Sequence, residues 1–105
     1  MKKEIDFIYY FDLDNRLRVS AFKEYKKIQE FIVQYEAFIQ QKWRPIVRYD
    51  TSHGFIHKDT IHPDQRQDKF PLFFMTYEVA FTYAITDIKR FWQVYREKYE
   101  KEMKN

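Results

Sequence analysis

Apolar and polar positions alternate through much of the first half of the chain, which is the pattern of half-buried β-strands. Residues 5–11 are nearly all apolar or aromatic, and Asp and Asn side chains that favour turns follow them. In residues 16–22 every second position is apolar, so one face of a second strand would be buried. These two segments predict a first β-hairpin.

Two periodicities compete between residues 22 and 39. Apolar side chains recur there at the helical spacings of three and four, but they also alternate with mostly polar neighbours. The high content of β-branched and aromatic residues favours a strand over residues 28–39, followed by a hairpin to another strand over residues 43–49. Pro45 cannot donate a ladder hydrogen bond, so it should lie near a strand start or on a sheet edge.

The clearest helical pattern lies at the C-terminal end of the chain. The polar residues 63–69 predict a surface loop, residues 70–75 a short strand or an apolar lead-in, and Thr76 a helix N-cap. Apolar side chains then recur every three or four residues to about Met103, over roughly seven turns. Strands followed by one helix predict an α+β fold: a meandering antiparallel β-sheet with one long C-terminal α-helix packed on one face.

Length and composition fit a single domain over residues 1–105. The chain is 45% hydrophobic and 21% aromatic, which supplies enough apolar surface for a folded core. It has no cysteine, and this excludes a disulfide, a thiolate metal site and a thiol nucleophile. Glu4 and Asp6 interrupt the signal-like start, and no apolar run reaches about 18 residues, so we expect a cytoplasmic protein without a membrane partner.

Residues 48–62 hold all three histidines and the single glycine, and they are the best candidate for a functional site. Histidine exchanges protons near neutral pH and is a common metal ligand. The net charge is only +3, but residues 42–58 contain four basic side chains against Asp50 alone, which favours an anionic partner.

The conformation of this segment decides which side chains meet. On an extended chain Tyr49, His53 and His57 would share one face of a strand, while Arg48 and Lys58 would share the other. The single glycine can break this alternation through a bulge or turn, because glycine takes positive φ at no steric cost.

Acid–base chemistry on an RNA phosphodiester is one interpretation of the segment. His53 and His57 would take and return protons, Arg48 and Lys58 would stabilise charge on the phosphate, and Asp50 would orient a histidine. This chemistry needs no cofactor. Exposed aromatic side chains, with Trp43, Tyr49 and Phe55 as candidates, could stack the bases of a single strand.

A divalent metal is the second interpretation. His53, His57, His62 and Asp50 would supply three imidazoles and a carboxylate, which zinc or manganese accepts. The spacing of His53 and His57 places both rings close together on one face only in a helix, however, and the neighbouring glycine and strand-forming residues argue against a helix.

A structural role is the third interpretation. Asp50 would then pair with Arg48 or cap a turn through Ser52 and His53, while the histidines bind loop carbonyls. Asp87 lies on the flank of the helical apolar stripe, where a half-buried carboxylate needs a partner. Arg48 or a histidine from the sheet would serve, most simply as a structural ion pair.

Residues 48–59 read R-Y-D-T-S-H-G-F-I-H-K-D and resemble the RYD-x-x-HG-x-x-H-x-D signature of an uncharacterised family of small prokaryotic proteins. The similarity covers residues 30–100, including residues 43–47 before the motif and residues 84–87 and 92–96 on the predicted helix. That family has no assigned activity.

More distantly, Arg48, Tyr49 and Asp50 followed by histidines resemble the TumE-like toxins of toxin–antitoxin pairs, small cytoplasmic proteins thought to act on RNA. In that group Arg-Tyr-Asp runs into an Asn and a Pro-His-His cluster, whereas Thr-Ser-His-Gly follows here, so His53 and His57 correspond only loosely. The resemblance implies RNA as substrate and a cognate antitoxin as partner.

We therefore expect a small RNA-acting protein, a ribonuclease-type toxin that uses histidine acid–base chemistry. The alternative is a non-enzymatic interaction or oligomerisation module, in which an exposed aromatic sheet face binds a partner or a second copy to form a homodimer.

Overall fold

A computed structural model describes residues 1–73 and 76–104 of the chain. Six strands form one antiparallel sheet in sequence order, and a single long helix follows them, which confirms the predicted α+β fold. The elements are β1 (Lys2–Asp12), β2 (Asn15–Glu24), β3 (Lys27–Ile39), β4 (Lys42–Asp50), β5 (His57–Ile61), β6 (Gln67–Pro71) and α1 (Tyr77–Met103).

Tight turns join β2 to β3 and β3 to β4. Tyr25 and Lys26 in the first turn, and Gln40 and Gln41 in the second, all have positive φ between 52° and 69°. Positive φ at both central residues gives a two-residue turn whose twist matches that of the flanking strands. The predicted strand over residues 28–39 is therefore confirmed, and the helical periodicity in the same segment does not describe the structure.

The structure also tests the predictions for Pro45 and for the polar residues 63–69. Pro45 lies inside β4, where the β3–β4 register shifts and places it opposite Glu36, so an irregularity of the ladder accommodates the missing donor. The prediction that residues 63–69 form a loop is wrong in part, because β6 begins at Gln67. Residues 74–75 of the predicted apolar lead-in lie outside the described residues.

Helix α1 packs on one face of the sheet, across β3 and β4. The Thr76 hydroxyl accepts a hydrogen bond from the backbone N–H of Val79 at 3.2 Å, so the predicted N-cap is confirmed. Ala84 and Ile88 are fully buried, and Trp92 stacks on Phe11 of β1 with ring centroids 5.3 Å apart. Among the described residues, no helix combines the length and apolarity needed to cross a membrane.

Candidate functional site

The connection between β4 and β5 folds into a short 3-10 turn over Ser52–Gly54. Asp50 Oδ1 accepts hydrogen bonds from the Ser52 backbone N–H at 3.1 Å and from Ser52 Oγ at 2.8 Å. His53 and Gly54 both have left-handed backbone angles, with φ of 70° and 82°. The turn reverses the chain at this point, and the predicted capping role of Asp50 is present.

This reversal sets which side chains share a face. Asp50 lies opposite His57 and Tyr49 lies opposite Lys58 in the β4–β5 ladder. The prediction that Tyr49 and His57 share one face is therefore wrong. It assumed one extended strand, whereas the turn interrupts the alternation of side chains between β4 and β5. Tyr49 and Lys58 point toward α1, whereas Asp50 and His57 point to the opposite side of the sheet, here called the open face.

Two rows of side chains cross the open face side by side. The antiparallel registers align residues of all six strands in each row. One row holds Ile8, Arg18, Gln34, Arg48, Asp59 and Lys69, and the next row holds Asp6, Ser20, Ile32, Asp50, His57 and Pro71.

His57 lies at the centre of a buried cluster with two carboxylates. Its Nε2 is 2.7 Å from Asp50 Oδ1, and its Nδ1 is 3.1 Å from Asp59 Oδ1. Both ring nitrogens of His57 therefore face carboxylate oxygens, one from β4 and one from β5. We call Asp50, His57 and Asp59 the Asp–His–Asp cluster.

The Asp–His–Asp cluster reaches the surface at two points. Ser52 Oγ lies 3.1 Å from His57 Nε2, and Ser52 itself is exposed. On the other side the Lys69 ammonium is 3.5 Å from Asp59 Oδ2. The ring of His57 is fully buried, and the exposed His53 ring lies 6.1 Å from it between centroids. Protons could therefore pass between His57 and solvent through the Ser52 hydroxyl.

The same cluster contains the donor atoms most suited to a metal. One ligand atom from each of Asp50, His57 and Asp59 lies within 4.8 Å of the others. Two carboxylates and an imidazole suit zinc or manganese. Each donor already takes part in a hydrogen bond or ion pair, so a metal would replace existing contacts.

The predicted metal set of His53, His57, His62 and Asp50 is not assembled. His62 follows the end of β5 and bridges two other carboxylates: its Nε2 is 2.7 Å from Asp68 and its Nδ1 is 2.8 Å from Glu102. These contacts connect the β5–β6 turn to the last turns of α1, on the helix side of the sheet. His62 therefore serves the packing of the helix.

The His62 bridge makes stability depend on pH. Hydrogen bonds to Asp68 and Glu102 raise the pKa of His62 above its ordinary value. The contribution of the bridge to the free energy of unfolding is therefore complete below about pH 6.5, the pKa of His62 in the unfolded chain. It is lost as the pH rises through the higher pKa of His62 in the folded protein. His62→Gln should lower the free energy of unfolding at pH 5.5 by less than about 1 kcal/mol, because the carboxylates are exposed, and by less again at pH 9.

Urea unfolding of both proteins at the two pH values measures this difference. His53→Gln, which removes an exposed histidine outside the bridge, is the matched control. A His62→Gln deficit that grows as the pH rises would contradict the assignment.

Two arginines and a lysine lie in the row that also holds Asp59, next to the row of Asp50 and His57. Arg48 Nε donates to the neutral Gln34 side chain at 2.7 Å, so this contact leaves its charge uncompensated. Arg18 pairs with Glu36 at 3.0 Å, and its side chain is 42% exposed. Burial alone would raise the pKa of Glu36, but hydrogen bonds from Arg18, Arg16 and Gln34 lower it below its usual value. We call Arg18, Arg48 and Lys69 the cation row.

Lys58, predicted to stabilise the phosphate, lies on the other face of the sheet. Its ammonium donates to Tyr95 OH at 2.8 Å and is 3.8 Å from Asp87. Tyr49 OH also donates to Asp87, at 2.8 Å. The predicted partner of Asp87, Arg48 or a histidine, is therefore wrong: two tyrosines and Lys58 take that place. Burial, and next the hydrogen bond to Asp87, raise the pKa of both tyrosines.

A cleft of about 350 Å³ opens beside the cluster, on the side away from the cation row. Four of its lining side chains are the carboxylates Glu4, Asp6, Glu30 and Asp50. Like charges repel, so these carboxylates disfavour an anion in the cleft.

The structure thus brings together Arg48, Asp50 and His57, with His53 beside them, and separates Lys58 and His62 from them. Three further side chains join the site without having been predicted as catalytic: Ser52, Asp59 and Lys69. The His-x-Asp spacing of His57 and Asp59 could have indicated Asp59, because residues two apart share a strand face.

Fold and site together define an α+β domain whose open sheet face carries a buried Asp–His–Asp cluster beside a cation row. The chain belongs to the DUF7718 family, a domain of unknown function whose model matches residues 1–105. No curated protein and no solved structure matches the chain. Membership of an uncharacterised family is thereby confirmed, while the relation to TumE-like toxins stays a prediction.

Proposed function

We propose that this protein acts on RNA, with a phosphodiester bound along the cation row next to the Asp–His–Asp cluster. The observation that carries the proposal is the alignment of Arg18, Arg48 and Lys69 in the row adjacent to Asp50 and His57. A strand rises about 3.4 Å per residue, so the two rows are about 7 Å apart. A single strand of RNA lying along β4 and β5 would contact both.

Arg48 is the principal phosphate ligand in this proposal. Its hydrogen bond goes to a neutral amide, whereas Arg18 and Lys69 lie near the carboxylates of Glu36 and Asp59. A guanidinium can also bind two phosphate oxygens at once. Phosphate binding should therefore depend on Arg48 more than on the other two cations.

The proposed reaction transfers two protons at the turn. His53 takes the proton of a ribose 2′-hydroxyl, whose oxygen attacks the phosphorus, and the bond from phosphorus to the 5′-oxygen breaks. Ser52 Oγ gives a proton to that leaving oxygen and regains one from His57 Nε2, 3.1 Å away. The products are a 2′,3′-cyclic phosphate and a 5′-hydroxyl. His57 is then a positioning residue, since its ring is fully buried.

The TumE-like resemblance supplies the biological setting of the proposal. A ribonuclease of this kind would be the toxin of a prokaryotic, cytoplasmic toxin–antitoxin pair, held inactive by a cognate antitoxin. The side chains that carry the resemblance include Arg48 and Asp50, which both lie at the proposed site.

RNA binding tests the role of Arg48. Fluorescence anisotropy of a labelled single-stranded RNA, measured across a salt series, should show weaker binding by Arg48→Met than by the unchanged protein. Removing one phosphate contact from a single strand should reduce the slope of log K against log salt by about 0.7.

Lys101→Met is the matched control, since it removes an exposed cation from the last turn of α1, away from the open face. Equal affinity and equal salt dependence for Arg48→Met and the unchanged protein would contradict the proposed phosphate site.

A non-enzymatic interaction module is the second candidate function. The observation that favours it is β1, an outer strand whose apolar side chains are exposed on both faces of the sheet. Such a strand could bind a partner protein or another copy of the chain.

A further inference from the structure

The two outer strands of the sheet differ in how they are protected. β6 has five residues and carries Lys69 and Pro71, and short, charged or proline-containing edge strands resist pairing with other chains. β1 has eleven residues, and its central run from Ile5 to Phe11 contains a single charged side chain, Asp6. Its outer backbone groups face no other strand of the sheet.

Apolar side chains of β1 are also exposed, on both faces of the sheet. Phe7 and Tyr9, on the helix side, are 43% and 50% exposed, and Ile8 and Tyr10, on the open face, are 40% and 53% exposed. A long strand with apolar side chains on both faces and an unpaired edge is a template for another strand.

We propose that the outer edges of β1 from two copies of this chain pair antiparallel, about a two-fold axis at Phe7, and join the two sheets into one. This proposal stands on β1 alone and is independent of the proposed action on RNA. It commits to a second copy because this register places Lys2 opposite Asp12 and sets no two like charges directly opposite each other.

Symmetry restricts the registers that two copies can use. A two-fold axis perpendicular to the sheet keeps each side chain on its own face. Two residues that face each other across the pair must therefore be an even number of positions apart in sequence, so the axis passes through a residue and not between two residues. An axis at Phe7 pairs the whole strand and brings Lys2 opposite Asp12 of the second copy. It also places Phe7 against Phe7 of the second copy, which favours association because aromatic cross-strand pairs stabilise a sheet.

The neighbouring registers oppose like charges. An axis at Asp6 would place the Asp6 carboxylates of the two copies opposite each other. An axis at Ile8 would place Glu4 of one copy opposite Asp12 of the other. Like charges directly opposite each other destabilise a pair of strands. The Phe7 axis also places Tyr10 of the second copy beside Glu4, so the dimer would complete the wall of the acidic cleft that β1 borders.

Light scattering coupled to size-exclusion chromatography tests the dimer. The unchanged protein should elute at about twice the 13.3 kDa chain mass. Phe7→Lys and Phe7→Glu should each be monomeric, because position 7 faces its own copy and the like charges repel. Since Phe7 is half-exposed, both variants should fold, and circular dichroism checks that they do.

Mixing the two variants is the decisive arm. Phe7→Lys and Phe7→Glu together should restore a dimer, since opposite charges then meet at the axis. Tyr25→Lys, in an exposed turn outside β1, should remain dimeric and is the matched control.

A monomeric unchanged protein, a dimeric Phe7→Lys, or a mixture that stays monomeric would each overturn the proposal. If either Phe7 variant fails to fold, Lys2→Asp provides the second test. It should weaken the dimer, because the two copies then place carboxylates opposite each other at this position. A Lys2→Asp variant as dimeric as the unchanged protein would overturn the register.

Discussion

Replacing His57 with alanine should lower the free energy of unfolding by about 3–5 kcal/mol, the range for truncating a large and fully buried ring. The substitution leaves the Asp50 and Asp59 carboxylates buried without the ring that lies 2.7 Å and 3.1 Å from them. Urea unfolding measured by circular dichroism gives the difference.

His53→Ala is the matched control for this experiment. His53 lies in the adjoining turn but is exposed, and histidine and alanine both pay for its left-handed backbone, so its loss should cost no more than about 1 kcal/mol. If His57→Ala proves as stable as His53→Ala, the contacts of the Asp–His–Asp cluster do not stabilise the fold.

Replacing Asp87 with alanine should have a comparable effect, about 3–5 kcal/mol, on the opposite face of the sheet. Asp87 accepts hydrogen bonds from Tyr49 and Tyr95, and the Lys58 ammonium lies 3.8 Å away. Without the carboxylate, the fully buried Tyr49, the half-buried Tyr95 and the Lys58 cation lose their shared partner. Glu97→Ala, an exposed carboxylate on the same helix, is the control.

A double variant separates the charge from the hydrogen bonds. Lys58→Met combined with Asp87→Ala should be less destabilised than the sum of the two single variants, because the cation that Asp87 balanced is absent. Strict additivity would contradict the coupling between Lys58 and Asp87.

β2 and α1 were predictable because each has one strong period: alternation predicts β2, and the spacing of three and four predicts α1. Two periods compete in β3, and its β-branched and aromatic content predicted the strand. β6 was not predictable, because all five of its residues are exposed, so burial imposes no alternation on Gln67–Pro71. Its pairing with β5 comes from the fold of the whole sheet.

The location of the site was predictable, but its membership was only partly so. Three histidines in a short basic segment indicate a site. Lys58 was predicted as a phosphate ligand because it adds to the local basic charge, but charge alone does not say which face of the sheet a side chain occupies. The meeting of Asp50 and His57 depends on the left-handed turn at His53, whose geometry fixes the register and cannot be derived from residue spacing.

The stability effect expected for His57 affects how function is tested. A His57 variant that loses activity would not distinguish a chemical role from unfolding. Ser52 and His53 are exposed and belong to the same site, so their substitution probes the chemistry with less damage to the fold.

The most direct measurement is cleavage of a single-stranded RNA by the purified protein, with Ser52→Ala and His53→Ala compared with Lys101→Met. The proposal predicts products with a 2′,3′-cyclic phosphate from the unchanged protein and from Lys101→Met. It also predicts loss of at least about 100-fold in rate for His53→Ala, the size typical of general acid–base catalysis. An RNA whose cleavage site carries a 2′-deoxyribose should remain intact. Equal cleavage by all four proteins, or no cleavage by any of them, would contradict the assignment of this site to RNA.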